Sequence, residues 1–457
     1  MGERVVVIGG DAAGMSAASQ ASRVARGNDR DLDIVVLERG HWTSYSACGI
    51  PYWVAGYVDD ADRLVARTPE EHRANGLDVR MRAEAVGIDL GARVVDVRHV
   101  DTGEHERIGF DQLVVATGAS PVRPDLPGVD ARGVHGVQTL DDGAALIEEL
   151  EREKPQRAVV VGGGYIGIEM AEAFVGRGLE VTLVDQAAEP MSTLDPDMGR
   201  LVHESMEGMG IRVVTGTPVE GFESGADGRV TAVAAGTGTY EADIVVLGLG
   251  VRPNTGVAGA AGLPLGSFGG IRVDLRMSVP GHDGVWAAGD CVESFDRVSQ
   301  TWAHVPLGTH ANKQGRVLGT NLGGGYATFP GVVRTAVSKV CDLEIARTGL
   351  REVDAGRAGF RFVAETVEST TRAGYFPGAE PLSVKVIAEV GSGRLLGAQV
   401  VGREGSAKRV DALALALWNH MTVHDLAMVD LSYAPPFAPV WDPVLIAARK
   451  AADRLGR

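Results

Sequence analysis

Three constellations in the chain hold residue types whose spacing could do chemistry. The first is a thiol. Cys48 lies in Thr43-Ser44-Tyr45-Ser46-Ala47-Cys48-Gly49-Ile50-Pro51-Tyr52, where Gly49 allows close backbone packing and Pro51 fixes the turn. At a helix start near a redox cofactor such a thiol would have a depressed pKa and ready thiolate chemistry. A buried structural cysteine is the other reading of the same stretch, and spacing alone leaves both open. The second and third constellations are glycine-rich turns, Gly9-Gly10-Asp11-Ala12-Ala13-Gly14 and Gly162-Gly163-Gly164-Tyr165-Ile166-Gly167. Where such a turn joins a strand to a helix, the backbone can approach a pyrophosphate closely, and the helix N-terminus offers N–H donors and a positive dipole end.

The elements needed to position these turns are written around them. Arg4–Ile8 is a buried-strand pattern that runs into the first turn and then an Ala-rich helix, Met15–Ala25; Ile34–Leu37 supplies a second strand ending at Glu38. The same grammar returns at Ala158–Val161, a helix through Val175, and Val181–Val184 ending at Asp185. Each terminal acid, Glu38 and Asp185, could hold a ribose hydroxyl, so the repeated unit predicts two dinucleotide-binding modules. The units differ in one respect. Gly162, Gly164 and Gly167 fill all three fingerprint positions, whereas the first unit has Gly9 and Gly14 with Asp11 between them. A side chain there would weaken phosphate binding unless the loop turns the carboxylate away. Asp185 is followed by Gln186-Ala187-Ala188, with no Arg or Lys to meet a 2′-phosphate, which predicts NADH in preference to NADPH.

Short strands ending in glycine, Leu113–Gly118 and Ile244–Gly250, follow the two units, and Val285–Asp290 precedes an amphipathic helix around His310–Leu322. From about Phe329 the pattern changes to strands at Val384–Val390 and Leu395–Val401 and a helical stretch at Ala407–His420, which predicts an α+β C-terminal domain.

Composition sets the outer limits. At 457 residues the chain exceeds one core, so two or three domains are expected. Its 62 glycines fit an α/β protein with many tight turns. A net charge of −16 argues against a nucleic-acid surface or an anionic membrane partner. The apolar runs are strand-length, far short of the roughly 20 residues that span a bilayer, and Met1-Gly2-Glu3-Arg4 enters a strand without a signal-peptide apolar region, so a cytoplasmic location is expected. Three cysteines, Cys48, Cys291 and Cys341, are too few and too scattered for a disulfide framework or a metal cage. Cys291 and Cys341 read as structural, and neither forms a Cys-x-x-x-x-Cys pair with Cys48, so any thiol chemistry must use one protein sulfur.

Taken together, Gly9–Gly14, Ser44-x-x-x-Cys48-Gly49-x-Pro51-Tyr52, Thr117-Gly118, Gly162–Gly167, Ala288-Gly289-Asp290, Tyr375-Phe376-Pro377-Gly378 and Tyr433-Ala434-Pro435-Pro436 resemble the single-cysteine branch of the pyridine nucleotide-disulfide oxidoreductases, most closely its coenzyme A disulfide reductases. The resemblance implies an α/β protein with two Rossmann-like nucleotide-binding domains, one for FAD (residues 1–118 and 250–325) and one for NAD(P)H (residues 119–249), plus a C-terminal α+β dimerisation domain (residues 326–457). It implies a homodimer in which FAD lies along Gly9, Gly14, Glu38, Arg39, Thr117, Gly118 and Asp290, with Asp290 on the ribitol. NADH would dock on Gly162, Gly164, Gly167 and Asp185, against Tyr165 and Glu169, on the flavin face opposite Cys48. Tyr375 and Tyr433 would cross to the other subunit's thiol, with Tyr433 as proton donor to the leaving group. Ser16, Gln20, Arg23 and Ser44 match the family's substrate-contact positions. The implied reaction is attack of the Cys48 thiolate on coenzyme A disulfide, release of one thiol, and reduction of the remaining mixed disulfide by NADH through FAD.

Two positions depart from that pattern: Ala47 stands where Asn is common, and Trp441 where a relative carries a basic residue. Three rival readings follow. In an NADH oxidase or peroxidase the lone cysteine cycles through a sulfenic acid, although the His usual in the first turn of those enzymes is Ala12 here. In a polysulfide or persulfide reductase the losses at Ala47 and Trp441 would matter less. A redox-sensing FAD protein without turnover is the third, against which the complete second glycine motif argues.

Overall fold

The computed structural model describes residues 2–456. Two parallel five-stranded sheets share one topology. The first runs in the order Val285–Ala287, Gln112–Val115, Glu3–Ile8, Leu32–Glu38, Asp78–Met81, and the second in the order Val134–Gly136, Ile244–Leu247, Arg157–Val161, Glu180–Val184, Arg212–Val214. In each, the strand entering the glycine turn sits centrally and is hydrogen-bonded to a strand on both sides. That explains the unbroken apolar runs: Val5, Val6 and Val7, like Val159, Val160 and Val161, are covered on both faces and buried. Each module also carries a three-stranded antiparallel sheet, built from Ala83–Asp89, Val94–His99 and His105–Gly109 in one and Val219–Ser224, Val230–Ala235 and Gly238–Glu241 in the other. The chain leaves the first module and returns to it through two strands that pair with each other, Ala119–Pro121 and Val251–Pro253.

The first helix, Ala12–Gly27, begins three residues before the sequence pattern suggested, with Asp11 at its N-terminal boundary in extended geometry and making no side-chain cap bond. It packs against the helix Gly308–Leu322 through an unusually close seam. A Cβ at Gly315 or Gly319 would lie 2.3 Å from the carbonyl oxygens of Ala13 and Ala17 respectively, so only glycine permits this approach.

The C-terminal domain is an antiparallel sheet in the order Ala336–Val340, Leu343–Gly349, Leu395–Gly402, Pro381–Glu389, Phe362–Thr370. Helices Val410–Trp418 and Pro443–Leu455 lie against it, the first preceded by a 3-10 turn, Ala407–Arg409, where the sequence suggested continuous helix. Leu395–Gly402 is buried along its whole length. No helix of the described residues is long and apolar enough to cross a membrane.

Candidate active site

Cys48 occupies a short turn, Ala47–Gly49, that runs directly into the helix Ile50–Val54. The segment before it is stapled to the first glycine turn. The Thr43 hydroxyl donates to the Gly10 carbonyl, and the Tyr45 N–H donates to Asp11 Oδ1 at 3.2 Å. The Asp11 carboxylate is thus taken up by the cysteine segment, which is how a side chain fits where the second unit has Gly164. On its other side the turn closes on Leu64: the Ser46 N–H donates to the Leu64 carbonyl at 2.8 Å, and a Cβ at Gly49 would fall 2.3 Å from Leu64 Cδ2. Ser44 adopts a positive φ of 52°, and its Oγ lies 2.9 Å from Nε2 of His72. His72 is only 2% exposed, and burial with the nearby Arg67 charge holds it below the ordinary histidine range. His72 carries no sequence motif, so only the fold reveals that it supports Ser44.

Cys48 is an exposed free cysteine, whereas Cys291 is buried and Cys341 is half-buried in a hairpin turn. The chain's own groups do not by themselves supply the depressed pKa expected of Cys48 beside a redox cofactor. Although the residue is open at the surface, the protein packed around its sulfur pushes the thiol up, and the carboxyls of Glu169 and Asp290 push it the same way against a backbone hydrogen bond that lowers it. The helix that follows is a single short turn, and the charges acting on the sulfur are acidic, so the protein's own groups hold the proton on. Glu169 is itself raised to about 7, by burial and by Glu172, against a hydrogen bond from Ser338 that favours its charged form. Asp11 is also raised to about 7, by burial and by the charges of Glu38 and Asp290, and burial raises Asp290. Asp11, Glu38, Cys48, Glu169 and Asp290 therefore form one chain of electrostatically linked groups running between the two glycine turns.

Both glycine turns are held by close backbone packing. A Cβ at Gly14 or Gly167 would lie 1.9 Å from the carbonyl oxygen of Gly9 or Gly162, and one at Gly9 2.1 Å from that of Ala116, so packing alone demands those glycines. Gly164 is different. A Cβ there would meet nothing closer than 3.8 Å, so the chain leaves open the space a phosphate group would use. The acids ending the second strands make matching bonds. Glu38 accepts from the N–H groups of Gly10 at 2.8 Å and Gly40 at 2.7 Å, and Asp185 accepts from those of Gly163 at 2.6 Å and Ala187 at 2.8 Å. Each acid thereby holds the rim of its turn while keeping oxygen lone pairs for a ribose. Glu38 and Arg39 line a cavity of about 390 Å³ together with Trp42, Arg82 and Asp141, which the sequence did not single out. The Thr117 hydroxyl donates to the Asn254 carbonyl at 2.6 Å, and Gly118 has a positive φ of 66° with open space where a Cβ would be. On the opposite module the hydroxyl of Tyr165 is buried without a hydrogen-bond partner, a group that a bound polar ligand would satisfy.

The remaining sequence candidates fall into two groups. Ser16 donates to Asn312 at 2.8 Å, and Gln20, 8% exposed, donates to Thr320 at 2.9 Å, so both tie the first helix to Gly308–Leu322. Arg23 donates to Gln20 from an exposed position on the same face. Tyr375 and Tyr433 are neighbours exposed on the surface of the C-terminal domain, where the nearness of Tyr375 raises the Tyr433 phenol. Their loops are joined by Arg409, which donates to the carbonyls of Thr371 at 2.7 Å and Phe437 at 3.0 Å, and by the Ala373 N–H to the Pro435 carbonyl at 3.0 Å. Trp441 does not leave its position without charge, since the Arg449 guanidinium stands 5.1 Å from its ring centroid. Asp195, Asp197 and Glu352 are close enough to hold a metal ion, but the Lys385 ammonium lies among them at 3.3, 2.7 and 2.6 Å.

Two nucleotide-binding modules that flank an open thiol define an oxidoreductase of the two-cofactor type, one site for each nucleotide. The model of the pyridine nucleotide-disulphide oxidoreductases matches residues 3–315, and that family's dimerisation domain matches residues 335–443. The NAD(P)H coenzyme A polysulfide/persulfide reductase of Pyrococcus horikoshii is 37% identical over 98% of each chain. An NADH oxidase of Methanocaldococcus jannaschii is 35% identical over 99% of each. The crystal structure of reduced Bacillus anthracis CoADR-RHD superposes with a TM-score of 0.94 at 34% identity, covering 100% of this chain and 81% of that one. The chain belongs to the pyridine nucleotide-disulphide oxidoreductase family, an FAD- and NAD(P)H-dependent family whose members here include disulfide or persulfide reductases and NADH oxidases.

Proposed function

We propose that the protein is a homodimeric, FAD-dependent NADH oxidoreductase that reduces a low-molecular-weight disulfide, coenzyme A disulfide, through Cys48. The observation that carries this reading is a free, exposed thiol placed within electrostatic reach of Asp290 on the first module and Glu169 on the second. In this reading Gly9, Gly14, Glu38, Arg39, Thr117, Gly118 and Asp290 hold FAD, and Gly162, Gly164, Gly167, Asp185, Tyr165 and Glu169 receive NADH. When bound, FAD supplies the two-electron link between nicotinamide and sulfur. Asp185, with Gln186 rather than a base after it, favours the 2′-hydroxyl of NADH.

The protein's own steps balance as follows. The Cys48 thiolate attacks one sulfur of the disulfide, forming a Cys48–substrate mixed disulfide and expelling the other half as a thiolate. That thiolate takes a proton from Tyr433 of the partner subunit, and the resulting tyrosinate is reprotonated from solvent. Two electrons originating from NADH and one proton then cleave the mixed disulfide, releasing the second half as a thiol and leaving Cys48 as the thiolate that begins the next cycle. Arg23 and Ser44 would meet the pantetheine and phosphate portions of the substrate, and Arg449 over Trp441 returns a positive charge near the position where the family pattern has a base. Three free cysteines suit a reducing, cytoplasmic setting.

Steady-state NADH oxidation should be fastest with coenzyme A disulfide when compared with polysulfide, peroxide and oxygen. Cys48→Ser should lower disulfide reduction on the order of a thousandfold or more, and Tyr433→Phe by about a hundredfold. Greater kcat/KM with polysulfide would move the reading to the persulfide reductase that the Pyrococcus relative's name describes. Full disulfide reduction by Cys48→Ser would end it.

A further inference from the structure

We propose that Ser338, on the first hairpin of the C-terminal domain, is a positioning residue that sets the direction and proton occupancy of Glu169 on the nicotinamide side of the site. The inference rests on the placement of Glu169 beside NADH proposed above, and it adds a residue that neither glycine-turn module contains.

The contact is direct. The Ser338 hydroxyl donates to Glu169 Oε1 at 2.7 Å, linking the strand Ala336–Val340 to the helix Tyr165–Gly176. The strand cannot easily drift from that helix. Val340 and the next strand's Leu343 and Ile345 are buried in the same apolar cluster as Ile168, Met170 and Phe174, so the hairpin of one domain completes the core of another. Strand alternation then decides which residues look inward: Val337 and Lys339 are exposed, and Ser338 between them faces the helix. Glu169 lies one helical turn after Tyr165, whose buried hydroxyl has no partner. A carboxyl free to rotate at this point would have no fixed direction relative to Cys48, on which its charge acts. The bond from Ser338 gives it one direction.

The groups around Glu169 explain why a single hydroxyl matters. Glu172 comes from its own helix, Cys48 and Tyr52 from the thiol segment, and Ser338 from the hairpin. Lys339, the nearest cation in sequence on that hairpin, points the other way. Burial and Glu172 favour the protonated acid, while the Ser338 donor favours the carboxylate, and the balance falls near neutrality. Without the donor, the protonated form gains.

The test is stopped-flow reduction of the FAD-loaded enzyme by NADH across the neutral pH range, for the parent, Ser338→Ala, Ser338→Thr and Glu169→Gln. The parent should show one ionisation near neutrality in the flavin-reduction rate, and Glu169→Gln should lack it. Ser338→Ala should move it upward, with proton affinity increased about tenfold as expected for loss of one hydrogen bond to a charged acceptor. Ser338→Thr, which keeps the hydroxyl, should return it toward the parent. If the Ser338→Ala profile overlays the parent while Glu169→Gln still lacks the ionisation, the role of Ser338 is refuted and the placement of Glu169 stands. If Glu169→Gln keeps the ionisation, Glu169 is not the group observed, and both fall.

Discussion

Cys48 shares its surroundings with the carboxyls of Glu169 and Asp290, an arrangement that favours the protonated sulfur. A low-pKa attacker therefore has to be produced by what binds beside it, not by the chain. In the flavin-free protein, the pH midpoint for alkylation of Cys48 by iodoacetamide should lie above the ordinary thiol range, because burial and the charges of Glu169 and Asp290 all disfavour the thiolate. Asp290→Asn should lower that midpoint, since it removes one of those charges. A midpoint below the ordinary range, unchanged in Asp290→Asn, would contradict this electrostatic picture. At this scale the sequence displays the nucleophile and hides its field. Cys48 stands out between Ser44 and Gly49-Ile50-Pro51, but Glu169 and Asp290 approach it only once distant segments have folded together. The same is true of His72, which no motif marks and which meets Ser44 across a loop.

The glycine turns show how one residue type at one spacing can answer two different demands. Gly167 is needed by the protein itself, since a Cβ would lie 1.9 Å from the Gly162 carbonyl oxygen. Gly164 has room for a methyl group, so the fold does not require it. Gly164→Ala should accordingly fold and melt like the parent while binding NADH about tenfold more weakly, a difference of roughly 1.4 kcal/mol. Gly167→Ala should lose about 1–3 kcal/mol of stability from overpacking. Titration of NADH by fluorescence and thermal unfolding of both variants check this, and equal NADH affinity in Gly164→Ala would remove the phosphate role from that position. These elements were the most legible part of the chain, because strand, glycine turn, helix and acidic strand end are all local patterns. Less legible was how the first turn tolerates Asp11. Its partner is the Tyr45 N–H, and a backbone donor leaves no trace in residue type. The acids Glu38 and Asp185 were visible as ribose candidates, whereas their bonds to the turn N–H groups required coordinates.

For the molecule as a whole, the repeated unit made two parallel α/β modules readable, and the change of pattern near Phe329 announced an α+β region. How the parts grip one another was not readable. Lys385, 3% exposed, reaches from the C-terminal sheet to Asp195 and Asp197 beside the second module and to Glu352. Burial disfavours its charge, but the hydrogen bonds to Asp197 and Glu352 and the charge of Asp195 hold it above the ordinary lysine range. Ser338 makes a second such crossing, to Glu169 on the second module. Long-range polar pairs of this kind follow from tertiary packing, and a single sequence holds no local signal for them. Under the proposed function, one sulfur, Cys48, carries half of a disulfide until electrons from NADH release it. Mass spectrometry under non-reducing conditions tests it most directly, on FAD-loaded protein treated with coenzyme A disulfide, before and after NADH. A coenzyme A adduct on the Cys48 peptide that disappears when NADH is added is the expected result. No adduct on that peptide, or one that NADH leaves in place, would contradict it.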